Sequence, residues 1–287
     1  HVRSRRQRQM CIRDRFFNSM QNLYSYGKAM QLNPDRMMFT PVIAKLDDGM
    51  KLCIAEADTE SYPGMYLVSS SDRPVLHGMF AAYPRKEERG GHNQLQMLVK
   101  SRESYIARVI GPRSFPWRTF IVTRKDGELS ESDMVYRLAS PSRVKNIDWI
   151  KPGKVAWEWW NYWGLYNVDF RAGINTETYK YYIDFASKNN IEYVILDEGW
   201  SVKYAGDLLK VIPEIDLPEL LRYAKGRNVG IILWAGYHAI ERDMEHVVKH
   251  YAAMGVKGFK VDFLDRDDQK MIDFMYRLAD ICAQHHM

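Results

Sequence analysis

Four aspartates crowd one short stretch, GFKVDFLDRDDQ, from Gly258 to Gln269: Asp262, Asp265, Asp267 and Asp268. Their settings differ. Asp262 lies inside an apolar run, between Val261 and Phe263, and alternates with Lys260. Residues two apart on a strand face the same side, so Lys260 and Asp262 point together. An ammonium beside a carboxylate favours the charged form, which is the form a nucleophile needs. The same pair also makes sense as a purely structural ion pair. Asp267 and Asp268 stand where the next helix opens, and acids there accept from free N–H groups and meet the positive end of the helix dipole. Asp265 suits either capping that helix or holding a hydroxyl of a ligand.

The ends of three earlier apolar runs carry similar residues. The first gives Trp157, Glu158, Trp159, Trp160 and Asn161; the second Asp197, Glu198 and Trp200; the third Trp234, Tyr237 and His238. Carboxylates beside tryptophans suit a sugar. The aromatic faces stack on the C–H surface of the ring, while the acids hold hydroxyls or do glycosidic chemistry. Any one of these tryptophans also fits the rim of a core. Asp197 and Glu198 are equally suited on spacing alone.

The elements that must position these residues alternate. From Lys154 the chain reads strand (KVAWEWWN), helix (Thr176 to Asn189), strand (IEYVILDEGW), helix (from Asp216, where Asp-Leu-Pro-Glu has capping-box spacing), strand (VGIILWAGY), helix (to Met254, stopped by Gly255), strand (KGFKVDF) and helix. The last helix shows Met271, Phe274, Met275, Leu278 and Ile281 at helical spacing. Runs such as YVILD are apolar on both faces, as covered parallel strands are. This βα repeat fits a doubly wound sheet or a (β/α)8 barrel, and in both the carboxyl ends of the strands carry the site. No strand is followed by GxGxxG or a P-loop, which favours the barrel. Residues 154–287 are therefore expected to form its first four βα units, as a fragment of a longer chain.

Residues 16–140 read differently. Short alternating runs (RMMFTPVIAKL, KLCIAEA, GMYLVSS, QLQMLVK, SYIARVI, RTFIVT) are separated by Asp48-Gly49, Pro63-Gly64, Gly90-Gly91 and Asp126-Gly127, the pattern of a β-sandwich. Residues 141–153 look like a linker. Residues 1–15 hold six arginines and one aspartate, so the net charge of +5 resides in this basic leader. It lacks the stacking aromatics of a nucleic-acid arm and reads as a disordered or non-native tail, so no nucleic-acid partner is expected. There is no apolar run of membrane-spanning length and no signal-peptide core. Cys11, Cys53 and Cys282 form no metal or redox pattern and are expected to be free thiols.

Taken in order, EADTESYPGMYL, GPRSFPWRTF, DMVYRLASPS, KPGKVAWEWWNYWG, YVILDEGW and GFKVDFLDRDDQ resemble glycoside hydrolase family 97. The resemblance implies an N-terminal β-super-sandwich, a catalytic (β/α)8 barrel and an active-site Ca2+. It also implies exo-acting α-glycosidase activity on an oligosaccharide ending in α-linked galactose or glucose, in a protein exported to the periplasm or secreted. Retaining, α-galactosidase-like members carry an aspartate nucleophile in a KVDF-like segment, and Asp262 matches it. Inverting, α-glucosidase-like members instead use a glutamate just after a histidine at the third strand. Here His238 is followed by Ala239 and Ile240, with Glu241 close by. A retaining pair stands about 5 Å apart, an inverting pair further. The matching further makes Glu56 a calcium ligand, His238 and Lys260 substrate-binding residues, and Trp160 an aromatic of the sugar subsite. The general acid and the other calcium ligands are expected beyond Met287. The retaining α-galactosidase is the leading expectation. An inverting α-glucosidase and a non-catalytic sugar-binding protein are the alternatives.

Overall fold

The computed structural model describes residues 16–17, 26–204 and 206–287. The basic leader and Cys11 lie outside them. The described chain forms two compact units. One holds the described residues up to Glu87 together with Val99–Arg143 and Asp265–Tyr276; the other holds Glu88–Leu98, Val144–Leu264 and Arg277–Met287. The main break between the units falls at Arg143/Val144, within the expected linker at residues 141–153, and two short segments cross it. Glu88–Leu98 folds with the second unit, and Asp265–Tyr276 with the first.

The first unit is antiparallel. Lys51–Ala57 runs between Val42–Lys45 and Trp117–Thr123, and Met65–Ser69 between Met38–Phe39 and Leu76–Phe80. Ile54 of one sheet meets Met65 and Leu67 of the other in a buried cluster, with Met38, Val42, Leu52, Leu76 and Phe80 against it. That burial of one face of each sheet is what a sandwich requires. Gly49 forms the expected hairpin turn at φ 86°, a left-handed conformation that favours glycine.

Two expected features differ. Asp126-Gly127 opens a short helix, Asp126–Ser130, whose Glu128 accepts from the amides of Arg124 and Lys125, rather than making a hairpin turn. SYIARVI is not a strand. Gln269 takes the backbone of Arg108 instead, accepting from its N–H at 2.8 Å and donating to its carbonyl at 2.9 Å.

The second unit centres on a parallel sheet in the order Gly258–Asp262, Gly230–Gly236, Tyr193–Leu196, Val155–Trp157. Sequence neighbours are sheet neighbours throughout, with no reversal of order. A doubly wound sheet reverses at its switch point; a barrel does not. Helices Thr176–Lys188, Leu217–Lys225 and Met244–Met254 connect the strands. Their signals are local and legible. Asn175 accepts from the Thr178 amide at 2.9 Å, Asp216 from the Glu219 amide at 2.9 Å, and Gly255 ends its helix at φ 95°. The first strand is shorter than expected: it stops at Trp157, and Glu158–Asn161 forms a 3-10 turn. Among the described residues no helix is long and apolar enough to cross a membrane.

Candidate active site

The carboxyl ends of all four parallel strands supply a polar cluster. Lys260 projects from the fourth strand, and its Nζ lies 2.7 Å from Asp197 Oδ2, 3.4 Å from Asp262 Oδ2 and 4.2 Å from the centroid of the Trp157 ring. Asp197 is 5% exposed. Its Oδ2 also accepts from Trp157 Nε1, and its Oδ1 from the Glu198 amide at 2.7 Å. Both oxygens are therefore engaged by protein. Asp197, a substrate-binding candidate from the sequence, is placed as the anchor of Lys260 and Trp157.

Asp262 differs in access. Its side chain is 43% exposed. Trp234 Nε1 donates to Oδ2 at 3.3 Å, and the Phe263 amide to Oδ1 at 2.8 Å. These groups and the Lys260 ammonium are all donors, so the carboxylate is oriented by its surroundings while remaining open to a ligand. Trp160 is 75% exposed and meets Trp157 edge-on, with centroids 5.0 Å apart. It also meets Trp159 edge-on, with centroids 6.3 Å apart, and stands beside the cluster largely exposed.

Glu198 was expected to face a sugar. Its Oε2 lies 2.8 Å from His92 Nε2, and its Oε1 accepts from Asn93 Nδ2 at 2.5 Å. The two oxygens hold the Glu88–Leu98 segment. His238 is the second residue of the short helix Tyr237–Glu241, and its backbone N–H donates to Leu95 O at 2.9 Å. Burial, with the cations Arg89 and Arg242 nearby, pulls its pKa below the usual imidazole value. Below the sheet end, Glu158 is buried, and its Oε1 accepts from Tyr179 OH at 2.6 Å, the Asp197 amide at 2.8 Å and Trp163 Nε1 at 3.1 Å. Burial pushes its carboxyl up to about 7.

The remaining three aspartates belong to the first unit. Asp265 has a left-handed backbone, φ 51°. Asp267 does not cap the helix. Its Oδ1 accepts from Tyr66 OH at 2.5 Å, its carbonyl from the Gly64 amide at 2.9 Å, and burial pushes its carboxyl up to about 7. Asp268 does cap, through the Met271 amide at 3.3 Å, but it is also fully buried, 2.9 Å from Arg266 Nε and 3.2 Å from Arg102. The fully buried Arg266 in turn reaches Glu87 at 2.6 Å. Helix-opening position was the right reading for Asp268 and an incomplete one. Nothing local announces partners that lie far away in sequence.

Glu56, the implied calcium ligand, lies in the first unit directly across from Arg118 in the sheet register, with Oε2 3.0 Å from that guanidinium. Its Oε1 accepts from the Met65 amide at 2.8 Å and from Thr40 Oγ1 at 3.3 Å. Calcium takes 6–8 oxygens. Among the described residues no group of three or more His, Cys, Asp or Glu could hold a metal. Glu56, already facing Arg118, supplies one carboxylate where the ion needs several oxygens, and no step runs through calcium.

Comparison with known proteins places the cluster in context. A family model for glycoside hydrolase 97 matches residues 159–287, and one for the glycosyl-hydrolase 97 N-terminal region matches residues 4–141. The chain belongs to glycoside hydrolase family 97. A retaining alpha-galactosidase of Bacteroides thetaiotaomicron is 58% identical over 272 residues, 95% of this chain and 41% of the relative. A probable retaining alpha-galactosidase of Streptomyces bingchenggensis is 31% identical over 187 residues, 62% of this chain and 28% of the relative. This family 97 chain thus spans about two fifths or less of the length of these relatives. A family 97 enzyme of Pseudoalteromonas sp. strain K8, solved with acarbose, matches with a TM-score of 0.72 at 22% identity, covering 96% of this chain and 43% of that one. At that identity the likeness speaks for the fold alone. It extends over both units, the antiparallel and the α/β one.

Proposed function

We propose that this family 97 chain carries the nucleophile of a retaining α-galactosidase, and that the nucleophile is Asp262. The observation that carries the reading is its setting: a half-exposed carboxylate at the end of a parallel strand, ringed by Lys260, the Trp234 indole N–H and the Phe263 amide. A carboxylate oxygen attacks the anomeric carbon of a terminal α-galactoside. The glycosidic C–O bond breaks, and the leaving oxygen takes a proton from a general acid. Water then gives a proton to that same group, now acting as base, and attacks the β-galactosyl ester; the ester C–O bond breaks, the Asp262 carboxylate is freed, and the sugar returns with its original α configuration. Lys260, fixed by Asp197, keeps positive charge beside the attacking carboxylate. Trp160 offers a ring face to the sugar. The natural substrate class is an oligosaccharide ending in α-linked galactose, in keeping with the activity named for the Bacteroides relative.

The inverting alternative fits less well. The two residues after His238, Ala239 and Ile240, are buried and carry no carboxyl, and Glu241 is paired with Arg277.

The test exploits a leaving group that needs no proton. The chain is incubated with an α-galactosyl fluoride bearing a second ring fluorine, which slows hydrolysis of the glycosyl-enzyme. Attack by Asp262 breaks the C–F bond, and fluoride departs. The expected result is a mass gain of one fluorogalactosyl unit on the peptide holding Asp262. Absence of an adduct, or an adduct on another residue, overturns the assignment. The matching α-glucosyl fluoride reports the sugar preference, with faster labelling by the galactosyl compound expected.

A further inference from the structure

Phe263, directly after Asp262, adopts φ 61°. A bulky side chain in the left-handed region is an outlier and persists only where its surroundings impose it. Its amide, in the peptide plane shared with Asp262, donates to Asp262 Oδ1 at 2.8 Å. Two rings hold Phe263. Trp234 meets it edge-on, with centroids 6.0 Å apart and planes at 74°, and the same indole donates to Asp262 Oδ2. On the other contact the His92 imidazole stacks on it, with centroids 4.4 Å apart and planes at 20°.

His92 is itself fixed from several sides. Glu198, at the end of the second strand, meets both its Nε2 and the side chain of Asn93. Its backbone N–H donates to Gln96 Oε1 at 2.9 Å. The segment turns through left-handed residues at Gly91, Asn93 and Gln94, with φ 69°, 45° and 62°. Leu95 comes so near the third strand that a Cβ on Gly236 would stand 2.8 Å from its own Cβ. A rigid turn therefore delivers one imidazole to the residue beside the reacting carboxylate.

We propose that His92 is a positioning residue for Asp262, acting through Phe263 and held in place by Glu198. This rests on the reading of Asp262 as nucleophile. His92 stacking fixes the Phe263 ring, the residue so fixed holds its amide against Oδ1, and the carboxylate is thereby aimed at the anomeric carbon. Glu198 serves the nucleophile indirectly and leaves the sugar to other groups.

The experiment measures two quantities on the full chain: affinity for galactose, and the labelling rate constant at saturating fluorogalactosyl fluoride. In His92→Ala the rate constant is expected to fall roughly ten- to a hundredfold, the scale on which small misplacement of a reacting atom acts, while galactose affinity stays within about twofold of wild type. His92→Phe, which keeps the stack without the Glu198 contact, is expected to recover most of the rate. The melting temperature of each variant accompanies the kinetics. Wild-type labelling with an unchanged rate constant in His92→Ala overturns the inference. So does parallel loss of affinity and rate that His92→Phe does not restore, since that is the mark of a merely structural contact. If the wild-type chain itself fails to label Asp262, the nucleophile assignment falls first and this inference falls with it, a result distinct from the other two.

Discussion

Asp262 and Asp268 stand six positions apart in one stretch and have opposite surroundings. Asp262 is 43% exposed and touched by neutral N–H donors and one ammonium, whereas Asp268 is 0% exposed and held by two guanidinia. The first arrangement orients a carboxylate and leaves it accessible. The second uses up a carboxylate to neutralise buried positive charge. The same residue type is thus left open on one side of Leu264 and used for holding on the other, and what separates the two is access rather than the number of partners.

Several substitutions break or sharpen that contrast. The largest effect is expected from Asp262→Asn, which removes the attacking oxygen's charge. Labelling by the fluorogalactosyl fluoride should fall by roughly a thousandfold or more, while a urea unfolding curve shifts little, as is usual for a half-exposed site. Asp268→Ala should do the reverse. Removing one partner of a buried ion pair costs about 3 kcal/mol of stability, read from the same unfolding curve, with labelling by the folded fraction retained. Loss of labelling in folded Asp268→Ala would blur the distinction between the two aspartates.

A third test uses pH. Burial raises the Glu158 carboxyl to about 7, above its value in the unfolded chain. Between the ordinary carboxylate range and pH 7 the folded state therefore binds more protons than the unfolded one, so unfolding free energy falls as pH rises through that window. The contribution is present below the unfolded value and lost as pH climbs through about 7. Glu158→Gln should flatten the slope, with a gain over wild type at pH 8 on the order of 2 kcal/mol. The smallest expected effect is Asn175→Ala, which loses one helix cap at about 1 kcal/mol, measured as a shift in the melting temperature, with labelling unchanged.

The second unit was largely legible because its signals are local. Asp216 with Pro218, Gly255 and the doubly apolar strands act within a few residues of the features they set. Lys260 and Asp262 were legible for the same reason, since strand alternation puts them on one side. The misreadings arose where long-range partners decide. SYIARVI alternates like a strand, but the side chain of Gln269 occupies the backbone of Arg108. Spacing leaves Asp197 and Glu198 of DEGW equally suited to a sugar, but His92, Asn93, Trp157 and Lys260 engage their carboxylates. The only sequence signal near His92 is the Gly90-Gly91 pair, which announces a turn and says nothing of where the turn goes.

The buried network around Arg266 bears on how such a molecule can be divided or recombined. A cut through residues 141–153 looks harmless, because they hold no helix or strand. Yet a piece beginning at Lys154 would retain Arg266 and Asp268 while losing Glu87, Arg102 and Tyr66, the groups that answer them and Asp267. Exchanging the front half between related proteins would have to carry residues 265–276 with it, and leave 88–98 behind. The heritable module here is therefore discontinuous in sequence, and shuffling at the apparent seam should yield insoluble chimeras more often than working ones.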